Sequence, residues 1–180
     1  MNKKIKYLLL SNAIFVLAGS ILLPVYALFV QSINGGIELA GILFGLGFLS
    51  SSFTSLIVTR IHDGVRFENT MMKLCFFVRA LAWLAIAFFP NLSVLLVAQI
   101  IIGITDGFGA PVFNELFSRY LDNKKHIKEW GIWQFLVGIA VATGSGLSGF
   151  IIASFGFSVL FTIMSALAFV ALFIYKLGEK

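Results

Sequence analysis

One cysteine, three prolines and very little charge define this chain by what it lacks. With Cys75 alone, no intramolecular disulfide can form and no cysteine framework for zinc exists. Only 12% of the 180 residues are charged, about half the share of a soluble domain. There is no Gly-x-x-x-x-Gly-Lys-Ser/Thr run, no nucleophile elbow and no His-Glu-x-x-His, so an ATP-driven pump or an intramembrane zinc protease has no support. His62 and His126 lie in separate polar connections without convergent ligands, which leaves no metal site and implies no cofactor. The chain reads as a non-enzyme. Its net charge of +5 is not clustered on a face as nucleic-acid binding requires.

What is present is apolar: 59% hydrophobic residues, a mean hydropathy of +1.01, 20 phenylalanines and 17 glycines. The lipid bilayer is the solvent for a chain of this kind, with aromatics facing lipid and glycines letting helices approach. A membrane helix needs about 20 mostly apolar residues, and six stretches qualify: about 7–30, 39–58, 72–89, 92–117, 131–155 and 158–175. The fold class is therefore an all-α membrane protein, residues 1–180 forming a single six-helix domain. The first stretch is too long for the apolar region of a signal peptide and is kept as a helix.

Apart from Arg79, every Lys and Arg lies before the first stretch, in the second or fourth connection or at its edge, or after the last stretch. The first, third and fifth connections have none. By the positive-inside rule both termini are cytoplasmic, and the expectation is an integral, multi-pass protein of the plasma membrane. This asymmetry also argues against copies inserted in both orientations, so any homo-oligomer should be parallel.

Six spans with a charged connection after the second and a long basic one after the fourth resemble the amino-terminal half of a major facilitator superfamily transporter. In the fourth span, Gln99-Ile-Ile-Ile-Gly103-Ile-Thr-Asp106-Gly107-Phe-Gly109-Ala110-Pro111 resembles the family's Arg-x-x-Gln-Gly-x-Gly-Ala-Gly pattern, with Gln99 in place of the arginine. Thr59-Arg-Ile-His-Asp63-Gly-Val-Arg66 keeps the acid and one base of the family's loop signature. Gly144-Ser145-Gly146-Leu147-Ser148-Gly149 resembles the glycine-rich run of its antiporters without the proline. A full transporter pairs two such halves, with substrate between them near the midplane. The resemblance implies a secondary active transporter of a small-molecule substrate, working by alternating access. A parallel homodimer with its two-fold along the membrane normal would supply both halves, and proton-coupled efflux is the leaning. The alternative is a non-transporting half or a helper subunit associated with another transporter half.

Asp106 lies deep in the fourth span, about 22 Å from its outer end. An intramembrane acid is a functional hypothesis by default. Desolvation would favour its protonated form and a neighbouring cation its ionised form, so Asp106 is the candidate proton-coupling residue. Arg79, offset by roughly 7 Å in depth, is its candidate ion-pair partner. Gln99, Gly103, Asp106, Ala110 and Asn114 share one helical face, and Asn12, Phe15, Gly19 and Tyr26 share another on the first span. The resemblance implies that these spans face the cavity, making Asn12, Tyr26, Gln99 and Asn114 cavity-lining candidates. Pro24 allows a bend between Asn12 and Tyr26.

Small residues recur at helical spacing at Gly41 and Gly45, at Gly47 and Ser51, and at Gly138, Ser145 and Gly149. They permit close backbone contact, and the resemblance assigns the seam between halves to these two spans. At the cytoplasmic end of the fourth span Glu115 and Arg119, spaced i,i+4, can pair. With Asp63 and Arg66 they form a candidate charge cluster.

Overall fold

The computed structural model describes residues 3–61, 67–121 and 126–179. Among them every regular element is helical: α1 (Lys3–Ser20), a 3-10 turn (Leu23–Val25), α2 (Tyr26–Ser32), α3 (Ile37–Ile61), α4 (Glu68–Phe88), α5 (Leu92–Tyr120) and α6 (His126–Glu179). Five helical segments are long and apolar enough to cross a membrane, α1 and α2 together forming the first, Lys3–Ser32. The helices outrun the apolar stretches of the sequence, as at Glu68 and Tyr120, because helical hydrogen bonding continues into the polar ends.

Local chemistry sets the boundaries. The first span is not one rod: the helix tightens at Leu23–Val25, where Pro24 can give no amide hydrogen bond. Asn34 turns the chain from α2 to α3 at φ 64°, a left-handed conformation that asparagine tolerates better than most residues. Asn91 caps α5, its side chain accepting from the Val94 amide at 2.9 Å.

A straight helix of 54 residues would be about 80 Å long, far more than a bilayer is thick. α6 is instead interrupted at Gly156, whose φ of 78° and ψ of 178° belong to glycine. The chain doubles back there, since Trp133 before the break and Tyr175 after it belong to one core cluster. That cluster also gathers Ile5, Leu8, Met72, Phe76, Phe113 and Phe117. A second cluster holds Phe29, Val30, Leu43, Trp83, Ile86, Leu95 and Phe161. Thus α1, α4 and α5 each give one end to either core and α6 reaches both, whereas α2 and α3 contribute only to the second.

α6 packs chiefly on α1 and α4, and α3 on α5. The α3–α5 seam is close because Gly103 and Gly107 offer no side chain. A Cβ on Gly103 would collide with the Gly47 carbonyl and lie 2.7 Å from the Ser50 Cβ; one on Gly107 would lie 2.5 Å from the Ser51 carbonyl oxygen. The small pair Gly47 and Ser51 therefore packs inside the chain. This seam also resolves a backbone problem. Pro111, inside α5, cannot donate to the Gly107 carbonyl one turn earlier, and the Ser55 hydroxyl of α3 donates to that carbonyl instead, at 3.1 Å. In lipid a freed carbonyl has no water to turn to.

Candidate functional site

Arg79 on α4 and Asp106 on α5 meet as an ion pair through Nη2 and Oδ1. The two partners sit in different surroundings. The Arg79 side chain is 7% exposed and that of Asp106 50%. Arg79 is held from several sides: its Nε donates to the Thr105 hydroxyl and its Nη2 to the Ile102 carbonyl, both at 3.1 Å. The Phe15 and Trp83 rings lie 5.1 and 5.5 Å from its guanidinium carbon, within cation–π range. A cation so enclosed is stable in an apolar interior only with a counter-charge, which Asp106 supplies.

Asp106 borders two cavities. The larger, about 380 Å³, is lined by Gly19, Tyr26, Phe44, Phe48, Trp83 and Gln99 among others. The second, about 290 Å³, is lined by Asn12, Phe15, Cys75, Thr105, Asn114 and Trp133 among others. The structure thus divides the cavity-lining candidates into two groups that share Asp106: Tyr26 and Gln99 on one side, Asn12 and Asn114 on the other. Tyr26 and Asn12 are 14 residues apart, about 21 Å along a helix, and so border different cavities. Gln99 Nε2 donates to the Tyr26 hydroxyl at 2.5 Å, joining α5 to α2 at the edge of the larger cavity. Both residues are 7% exposed.

The Major Facilitator Superfamily model matches residues 8–180. The chain belongs to the major facilitator superfamily. It is an integral, multi-pass membrane protein with the fold of that family of transporters. Among solved structures it is similar to the POT family transporter PepTSo, with a TM-score of 0.87 at 17% identity, covering 99% of this chain and 38% of that one. It is also similar to an auto-inhibited POT family peptide transporter, with a TM-score of 0.86 at 15% identity, covering 99% of this chain and 37% of that one. The chain thus spans less than two-fifths of the length of either transporter. No curated protein matches it.

At the opposite end of α5 from Asn91, this superfamily member carries a charge cluster. Arg119 Nη2 bonds Glu68 at 2.8 Å and Glu115 at 2.9 Å. The i,i+4 pair with Glu115 was legible from spacing; Glu68, at the start of α4, was not singled out. Asp63 and Arg66, the other candidates for this cluster, lie outside the described residues. Two further ties join α4 to the end of α6: Lys73 to Glu179 at 2.9 Å and the Tyr175 hydroxyl donating to Asn69 at 2.6 Å.

The small residues of the expected seam differ in their surroundings. Gly41, Gly45, Gly138 and Gly149 are open, with no atom within 4 Å of where a Cβ would stand. Ser145 is engaged within the chain, donating to the Ser20 carbonyl at 3.3 Å. Around the open glycines, Ile42, Phe53, Phe135 and Phe150 are more than half exposed. Among the described residues no cluster of three His, Cys, Asp or Glu gathers that could hold a metal ion.

Proposed function

We propose that this chain is a six-helix half of a secondary active transporter, with both termini in the cytoplasm of a plasma-membrane protein. It moves a small solute by alternating access. Asp106 is the group that gains and loses a proton during the cycle, coupling efflux to proton entry. The observation that carries this reading is the position of Asp106. It is a half-exposed carboxylate on an apolar helix, bordering two cavities at once and tied on one side to a buried arginine. Protonation would remove the charge that holds Arg79, so occupancy of this one site would alter the packing of α4 against α5.

A second six-helix half is needed to close a central cavity, and we assign it to a second copy of the chain related by a two-fold along the membrane normal. The open glycines and exposed aromatics of α3 and of residues 126–155 support that assignment. Among the described residues nothing lies within 4 Å of where a Cβ on Gly41, Gly45, Gly138 or Gly149 would stand.

The test is flux of a panel of small solutes in proteoliposomes under an imposed pH gradient. Asp106→Asn keeps size and part of the hydrogen bonding but cannot titrate, and it should abolish gradient-driven flux while retaining helix content. Unchanged gradient-driven flux in folded Asp106→Asn protein would refute the proton-carrying role. Should Asp106→Asn instead fail to fold, adding Arg79→Gln removes the uncompensated buried charge and should recover the protein.

A further inference from the structure

Resting on the transport reading above, we propose that the larger cavity takes a monovalent organic cation with an aromatic or otherwise apolar body. Four observations converge on that class.

The first is which charge is presented. Arg79 is enclosed, with Nε and Nη2 engaged and two aromatic rings over its guanidinium. Asp106 is half exposed, and Arg79 engages it at Oδ1. A carboxylate offers about four acceptor positions on two oxygens, so this one keeps acceptor capacity toward the cavity. The pair is neutral as a whole, both members line the larger cavity, and the acid is the more exposed of the two. The basic residue of the lining is Arg79 itself, 7% exposed and already paired. An anion or the carboxylate of a peptide would have to take Arg79 from the partner that stabilises it.

The second observation is an aromatic wall. Tyr26, Phe44 and Phe48 form a ladder with ring centroids 5.5 and 5.1 Å apart, and Phe44 and Phe48 are 40% and 64% exposed. Aromatic faces attract cations most strongly where water is scarce. Third, polar groups beside that wall are few, and two of them, Gln99 and Tyr26, are bonded to each other. A strongly hydrated inorganic ion would find few replacements for its water there. Fourth, a cavity of about 380 Å³ lies within the range, roughly 300–1,000 Å³, of pockets that hold drug-sized molecules.

Radiolabelled tetraphenylphosphonium is a suitable probe, measured at one fixed pH on the full chain in lipid nanodiscs, with empty nanodiscs subtracted. Binding should be saturable, and tetraphenylborate, the anion of the same shape, should not compete. Asp106→Asn should weaken binding about thirtyfold by removing the counter-charge. Phe48→Ala, on α3 and outside the ion pair, should weaken it about three- to tenfold and serves where Asp106→Asn does not fold. The absence of saturable binding, competition by tetraphenylborate, or wild-type affinity in either folded variant would overturn the proposal. The two readings fail separately. Gradient-driven flux that needs Asp106, with Asp106-independent tetraphenylphosphonium binding, removes the substrate class and leaves the transporter. Asp106-dependent binding without gradient-driven flux keeps the substrate class and removes the coupling.

Discussion

Ser55→Ala is a change of one oxygen atom, and its cost should depend on a residue of another helix. In the native chain the Gly107 carbonyl loses its helical donor because residue 111 is proline, and the Ser55 hydroxyl replaces it at 3.1 Å. Removing that hydroxyl leaves a carbonyl without a donor at a tight helix seam. An orphaned buried acceptor costs about 1–3 kcal/mol, whereas interhelical hydrogen bonds measured in membranes average about 0.6 and reach about 1.7 kcal/mol. A loss of about 1–2 kcal/mol is therefore expected, or a fall of about 2–8 °C in unfolding midpoint for a chain of this size. In a Pro111→Ala background the restored amide at 111 can donate to Gly107, and the same Ser55→Ala change should cost close to nothing. The buried, single Cys75 supplies the assay: a thiol-reactive dye reports its exposure as the protein unfolds in detergent. Equal losses from Ser55→Ala in the two backgrounds would refute the exchange of donors.

Two further outcomes follow from the proposed arrangement in the membrane. With Cys75 replaced by serine, cysteines introduced at Asn34 or Asn91 should react with an impermeant maleimide from outside intact cells, and one at Asn123 only after permeabilisation; equal labelling of all three would defeat the orientation. Native mass measurement in mild detergent should give twice the chain mass, and bulky tryptophans at Gly45 and Gly149, both open within the chain, should reduce it to a single chain without loss of helix content. A strictly monomeric wild-type species would favour a helper or a half completed by a different chain.

The apolar runs made the helices legible, because lipid imposes length and hydrophobicity residue by residue. Arg79 and Asp106 also stood out, since charges within apolar runs are rare and an arginine side chain can span their offset in depth. Less legible were contacts set by how helices face one another. Nothing in the spacing of Ser55 says that it reaches the Gly107 carbonyl, although Pro111 announces that this carbonyl needs a donor. Asn12 and Tyr26 fall on one face of an ideal helix, but about 21 Å apart along it, so Tyr26 meets Gln99 while Asn12 borders the other cavity. Gly47 and Ser51 share the spacing of Gly41 and Gly45, yet they are covered by Gly103 and Gly107 while the other two are open. Pattern gives the stripe of small residues; only the rotation of the helix decides what covers it.

The interruption at Gly156 has a mechanical consequence. A single residue joins segments 126–155 and 157–179, a coupling with no slack. The first segment presents Gly149 and Phe150 outward and grips α1, where the Ser20 hydroxyl donates to the Ala140 carbonyl at 3.2 Å. The second grips α4, where the Ser165 hydroxyl donates to the Ala80 carbonyl at 2.8 Å, beside Arg79 in sequence. In the arrangement proposed above, a load applied to the outer face of the first segment would pass through that joint to the helix bearing Arg79, so leverage at the rim would reach the ion pair at the centre.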